Sequence, residues 1–277
     1  MSRVVSCSVV LATVSTALVH AADLPSQGMA TPPQASMSDS AIQLRVSAGF
    51  GIVPDYEGSN DVMFIPALAA KISYGNYYVD VQGLSARVNV WDDPSLNFGA
   101  ILSYGNGRSD VEDDVIRRMA KIDEALNLGG FVSYEFKNIM SNVDSVTVDL
   151  EAVADITGGS EGVVATASLS YATPLTERWL MSLGGSVSWA SGGYASTHFG
   201  VNAADSAASG LAAYSPTGGV KDVGIDATLT YVVDENWSVS GVASVSQLLG
   251  DFADSPVVDQ RGSATQAAAL LVVNRTF

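Results

Sequence analysis

The chain of 277 residues is long enough for one large domain or two small ones, yet only 15% of it is Asp, Glu, Lys or Arg and 47% is hydrophobic. A water-facing globular domain carries roughly 25% charged residues, so part of this surface faces something else. Acids outnumber bases 29 to 13, which excludes nucleic acid as a partner, because neutralising phosphates needs a basic stripe.

The first segment reads as an export signal spanning 1–21. Arg3 supplies a basic start, Val4 to Val19 is apolar apart from Ser, Thr and Cys7, and Val19-His20-Ala21 offers a cleavage site before Ala22. Removing it takes away Arg3 and no acid, moving the net charge from −16 to −17, and removes the only cysteine. Disulfide and thiol chemistry then leave the mature chain. Residues 22–40, with Pro25, Pro32 and Pro33, read as a flexible periplasmic lead-in.

From Ala41 the apolar residues recur at every second position. Trp179, Met181, Leu183, Val187 and Trp189 share one face while Ser182, Ser186 and Ser188 take the other, and the same alternation runs through 163–171 and 237–246. Period two is the mark of a strand. No downstream window reaches the roughly 20 continuous apolar residues of a membrane-spanning helix, so the expectation is an all-β, antiparallel transmembrane barrel over 41–277, apolar outside and small polar residues inside. Trp179 and Trp189 are ten residues apart. At about 3.3 Å per residue and a tilt near 40° this projects to roughly 25 Å, the height of a lipid-facing band. Tyr171, Tyr231 and Trp237 stand beside short turns, completing an aromatic girdle.

Plain segmentation gives eleven strands: 41–51, 62–74, 76–90, 96–105, 127–137, 145–156, 162–173, 179–190, 220–232, 237–248 and 263–277. A single-chain bacterial barrel with both ends in the periplasm needs an even number. At Gly83 the apolar parity of 76–90 switches, so a reversal there gives about twelve strands and places 52–61, 106–126, 191–219 and 249–262 on one side. A bulge at Gly83 within one long strand is the alternative. Phe277 ends the closing strand as an assembly signal.

The loops carry ordered motifs: Pro54-Asp55-Tyr56-Glu57-Gly58-Ser59, Tyr104-Gly105-Asn106-Gly107-Arg108, Phe199-Gly200-Val201 with Ser209-Gly210-Leu211, and Leu249-Gly250-Asp251-Phe252-Ala253-Asp254-Ser255-Pro256-Val257-Val258. In this order they resemble the MipA/OmpV family (MltA-interacting proteins), with His198 where an aromatic is expected and Arg275 where barrels usually place an apolar residue. The resemblance implies an outer-membrane scaffold for murein-remodelling enzymes, a lytic transglycosylase and a murein synthase; other members are described as adhesins or osmotically responsive proteins.

No motif asks for a cofactor. His198 is the single histidine after cleavage, and a Ser-His-acid site would need it to meet a serine and a carboxylate; Asp251 and Asp254 read more simply as solvated loop acids. The acids Asp55, Glu57, Asp61, Asp110, Glu112, Asp113, Asp114, Asp251 and Asp254 lack the spacing of a calcium loop. Arg108, Arg117, Arg118 and Lys121 are expected to pair with them or to meet lipopolysaccharide phosphate. By parity Arg45, Lys71, Asp80, Arg87, Glu135, Asp149, Glu151, Asp155 and Asp226 face the lumen, where charges must be paired or hydrated. Three functions stay open at this point: a non-enzymatic scaffold, a small cation-preferring pore, and an adhesin acting through the outer loops amid lipid and lipopolysaccharide.

Overall fold

The computed structural model describes residues 41–109, 111–160 and 162–277. The export signal and lead-in expected over 1–40 lie outside the described residues, as does Asp110. Twelve antiparallel strands close into one barrel in simple up-and-down order. They are β1 (Ile42–Pro54), β2 (Val62–Tyr74), β3 (Tyr77–Gln82), β4 (Ser85–Asn89), β5 (Leu96–Gly105), β6 (Ala125–Lys137), β7 (Ser145–Asp155), β8 (Val163–Pro174), β9 (Trp179–Ala190), β10 (Gly219–Val232), β11 (Trp237–Leu248) and β12 (Thr265–Thr276).

The reversal expected at Gly83 is present. Gly83 takes φ +54° at the first position of a two-residue turn, where a tight hairpin of type II′ takes glycine, and Gln82 pairs with Ser85 across it. Closure joins the ends of the sheet: Arg45 lies opposite Thr276 and Ile52 opposite Ala269, and the Phe277 N–H donates to the Leu44 carbonyl at 2.8 Å.

The barrel is apolar outside and polar inside. Phe64, Leu68, Ile225, Leu271 and Val273 are exposed on the outer wall, whereas Ser182, Ser188, Thr230 and Ser240 are buried in the lumen. Inside, Asn274 Nδ2 donates to the hydroxyls of Ser238 and Ser240, and Thr230 and Ser240 share a 2.7 Å hydrogen bond. This inversion of the soluble pattern is stable only where lipid surrounds the wall.

Four connections leave the same end of the barrel, 55–61, 106–124, 191–218 and 249–264. The third, read from sequence as one long loop, contains α1 (Gly192–Phe199) and α2 (Ala203–Ser209); the fourth contains α3 (Gly250–Ala253) and α4 (Pro256–Asp259). Local capping explains three of these helices. Ser191 Oγ accepts the Tyr194 N–H, Asn202 Oδ1 accepts those of Ala204 and Asp205, and Ser255 accepts that of Val257 with Pro256 at the first helical position.

Candidate functional site

The four motif-bearing loops meet over the outer end of the lumen. Two apolar clusters form there. Tyr194, Phe199, Leu248, Phe252 and Val258 make one; Tyr56, Val111, Ile116, Met119, Val201, Leu211 and Val257 make the other. Phe199 meets Phe252 edge-on at 5.2 Å, and each fully buried side chain of this kind contributes about 1.5–3 kcal/mol. The motif residues Phe199, Tyr56 and Val257 are thus core residues of a cap.

Polar contacts latch the cap to the wall. Glu57 takes the Lys221 ammonium at 2.5 Å on one carboxylate oxygen and the Tyr194 hydroxyl at 2.8 Å on the other. Lys221 is fully buried and also lies 3.4 Å from Asp222. Sequence parity missed Lys221. The β9–β10 register shifts between Val220 and Asp222, and such a bulge lets two successive side chains turn inward. The signal was the adjacent Lys221-Asp222 pair in an otherwise alternating strand.

Asp113, Asp55 and Asp251 are engaged as well. Asp113 pairs with Arg261 at 2.5 Å and accepts the Val115 and Ile116 N–H groups. Burial alone would raise its pKa; the Arg261 guanidinium and the two N–H groups outweigh that and hold it below the ordinary carboxylate range. Asp55 accepts the Glu112 N–H, and Asp251 accepts the N–H and hydroxyl of Thr217. Ser255 Oγ donates to the Phe199 carbonyl at 2.6 Å. Gly58, at φ +88°, donates its N–H to Gln266, and a Cβ there would press on the Val258 side chain. Pro54 ends β1 beneath the cap, Gly200 ends α1 with its N–H on the Ser196 carbonyl, Gly250 starts α3 at φ +51°, and Asp254 stays exposed at the end of α3. Among the described residues no three His, Cys, Asp or Glu side chains gather as metal ligands.

His198 stacks on Tyr194 at 4.2 Å between ring centroids. Its Nε2 is sealed from solvent without a hydrogen-bond partner, so no serine or acid addresses it there. Burial, reinforced by Arg108 and Lys221, lowers its pKa to about 3. The position expected to hold an aromatic residue therefore holds a neutral imidazole used as one.

Below the cap the charges read as lumenal form a belt. Arg45, Lys71, Asp80 and Arg87 stand opposite one another across successive strand pairs. From β4, Arg87 reaches Asp149 at 2.6 Å and Glu151 at 3.8 Å on β7, with its guanidinium 3.9 Å over Phe131; Lys71 sits 4.2 Å over Tyr78. Asp226 lies higher on β10, against Gly184, where a Cβ would collide with its carboxylate. Asp155, placed in the lumen by parity, instead caps the 156–160 turn by accepting the Thr157, Gly158 and Ser160 N–H groups.

The aromatic residues expected to form the girdle are at strand ends. Trp179 packs on Tyr231 at 4.9 Å, and Arg178 donates to the Tyr231 hydroxyl. Tyr171 donates to Asp144, and Trp189 is exposed at the opposite edge of β9. Arg275 lies between Trp237, at 5.0 Å, and Phe277, at 4.4 Å, so this departure from the usual terminal pattern is absorbed by cation–π contacts.

A closed, even-stranded barrel with a lipid-facing apolar wall and an occupied lumen defines a bacterial outer-membrane β-barrel protein. More narrowly, residues 46–277 match the family model of MltA-interacting protein MipA, and the chain belongs to that family. No curated protein matches it. Solved structures similar to it include the COG4313 outer membrane channel from Pseudomonas putida F1, at 11% identity and a TM-score of 0.45 over 88% of this chain and 100% of that one. The NanC porin is similar at 6% identity and a TM-score of 0.40, over 85% of this chain and 99% of its own. OmpT of Vibrio cholerae is similar at 7% and 0.36, over 86% and 97%.

Proposed function

We propose that this barrel is a non-enzymatic scaffold that recruits murein-remodelling enzymes, a lytic transglycosylase and a murein synthase, to its periplasmic end. The observation that carries this reading is the interlocked cap, in which Glu57, Lys221 and Tyr194 join three separate segments over the outer mouth. A barrel shut on that side offers its periplasmic rim as the working face. The family's description as MltA-interacting supports the choice of partner. One periplasmic turn is suited to contact: in 138–144, Asp144 accepts the N–H groups of Ile139, Met140 and Ser141, while Ile139, Met140 and Val143 are exposed. Rigid presentation of apolar side chains lowers the entropic cost of binding.

Affinity capture from solubilised envelopes tests the scaffold. A lytic transglycosylase or murein synthase should be retained by the intact barrel, and repeated failure to retain either would overturn the proposal. The belt of paired charges and the cap favour a plugged barrel over a cation-preferring pore, and deletion of 106–124 and 191–218 in a cell-binding assay addresses an adhesive role.

A further inference from the structure

We propose that the cap holds a binding site for a small solute bearing a carboxylate or phosphate group, centred on Arg108. A cavity of about 370 Å³ lies between the 106–124 and 191–218 connections, lined by Arg108, Lys121, Ser196, Asn202, Asp205 and Ser215 among others. That volume is within the roughly 300–1,000 Å³ typical of small-molecule sites.

Arg108 is the unusual residue in this wall. Its backbone is fixed by a two-way bridge to Ile122, with both N–H groups donating across it. The side chain is more than nine-tenths buried, and Nη1 donates to the His198 carbonyl at 2.9 Å. Among the described residues no carboxylate lies within ion-pair distance of it. The acid in the cavity lining, Asp205, accepts the Ala120 N–H at 2.6 Å. Two other inward cations differ: Lys221 touches Glu57 and Asp222, and Arg87 touches Asp149 and Glu151. Arg108 is stabilised only at longer range, by the Tyr56 ring at 5.9 Å and by Asp205, and a buried cation without a direct counter-ion is costly. Nη1 is the one Arg108 side-chain nitrogen with a hydrogen bond among the described residues, and neither Nε nor Nη2 is sealed from solvent, which leaves both to donate into the cavity that Arg108 lines.

A guanidinium with a free edge matches the two oxygens of a carboxylate or phosphate. Lys121, exposed at the rim, adds a second positive charge. Asn202, Ser196 and Ser215 supply neutral hydrogen-bonding groups for hydroxyls on the same solute. This basic spot stands out on a chain of net charge −16, and it is independent of the periplasmic scaffold role.

The test is isothermal titration calorimetry of the full, detergent-folded chain with D-glucose 6-phosphate, D-glucuronate and D-glucose. The two anions should bind and glucose should not. Arg108→Gln should weaken anion binding about tenfold or more, and Arg108→Lys, which keeps the charge without the fork, should fall between. Because Arg108 also braces the cap, Lys121→Gln is the second variant: it touches only the rim and should weaken binding by roughly threefold with heat-modifiable gel mobility unchanged. Absence of anion binding, equal binding of glucose, or wild-type affinity in both Gln variants would each overturn the site. Competition by lipopolysaccharide against glucose 6-phosphate would identify a lipid headgroup as the source of the anion, and lack of competition a free solute.

Discussion

Glu57 holds two donors from different parts of the chain, and Lys221 has no exposure to water. Removing one partner of a buried pair costs about 3–5 kcal/mol where the remaining charge is left uncompensated, and less here, because Lys221 keeps Asp222 at 3.4 Å. Glu57→Ala should therefore destabilise the cap by less than that amount, whereas Lys221→Met, which strands both the Glu57 and the Asp222 carboxylates, should cost the full amount. Limited proteolysis of the outer loops reads the difference, and equal protection in Glu57→Ala and wild type would refute the latch. His198 gives a pH-dependent counterpart. Its pKa drops from 6.5 to about 3 in the folded cap. The unfolded chain therefore binds a proton that the folded one refuses between these values. Stability is fully present above about pH 6.5 and declines as pH falls toward 3, by at most about 1.4 kcal/mol per pH unit. His198→Phe keeps the stack on Tyr194 and removes an unpartnered Nε2. This variant should lose that part of the acid sensitivity, measured as protease resistance of the cap at pH 7 and pH 4.5.

The elements show where sequence reading works and where it stops. Alternation marked the strands because each has one lipid face and one lumen face, and a one-residue slip would invert both. The parity switch at Gly83 was legible for the same reason, and its positive φ makes the position intolerant: Gly83→Val should impair the β3–β4 hairpin and lower the yield of heat-modifiable folded barrel, while Leu84→Val should not. The cap was less legible. The helices α1 and α2 are short, the first opening on two glycines and the second made mostly of Ala and Ser, so no apolar period announces them, and contacts such as Glu57 to Lys221, 164 residues apart, have no local signature. Motif order found Tyr56, Glu57, Arg108 and Phe199 without revealing that they converge, and parity failed at Lys221 because a bulge interrupts it. The 138–144 turn was also silent in sequence, since its order comes from Asp144 gathering three N–H groups. Met140→Asp places a charge where apolar contact is proposed. It should reduce capture of the murein enzymes about tenfold or more with barrel folding unchanged, and undiminished capture would remove this turn from the interface.

Across the whole molecule two obstructions lie in series, a cap at the outer end and a charged belt lower in the lumen. Twelve strands enclose more space than the roughly eight that side chains alone fill, so the obstructions rather than the strand count decide whether ions pass. The cap has a packed apolar core, and an ion crossing it would lose its hydration without replacement. The belt adds Arg87 on β4 bound to Asp149 and Glu151 on β7, three strands away. The intact protein in a planar bilayer should show no discrete conductance steps. Loosening the cap through Glu57→Ala exposes the lumen to the outer solution but leaves the belt in place, so conductance should remain small and brief. Adding Arg87→Gln frees two carboxylates and removes the ion-pair strut between β4 and β7. The double variant should then conduct in resolvable steps with a preference for cations, because Asp149 and Glu151 would line the widened path without their counter-ion. Stable steps of uniform size in the unmodified protein would show that the cap opens unaided and would favour a channel over a scaffold.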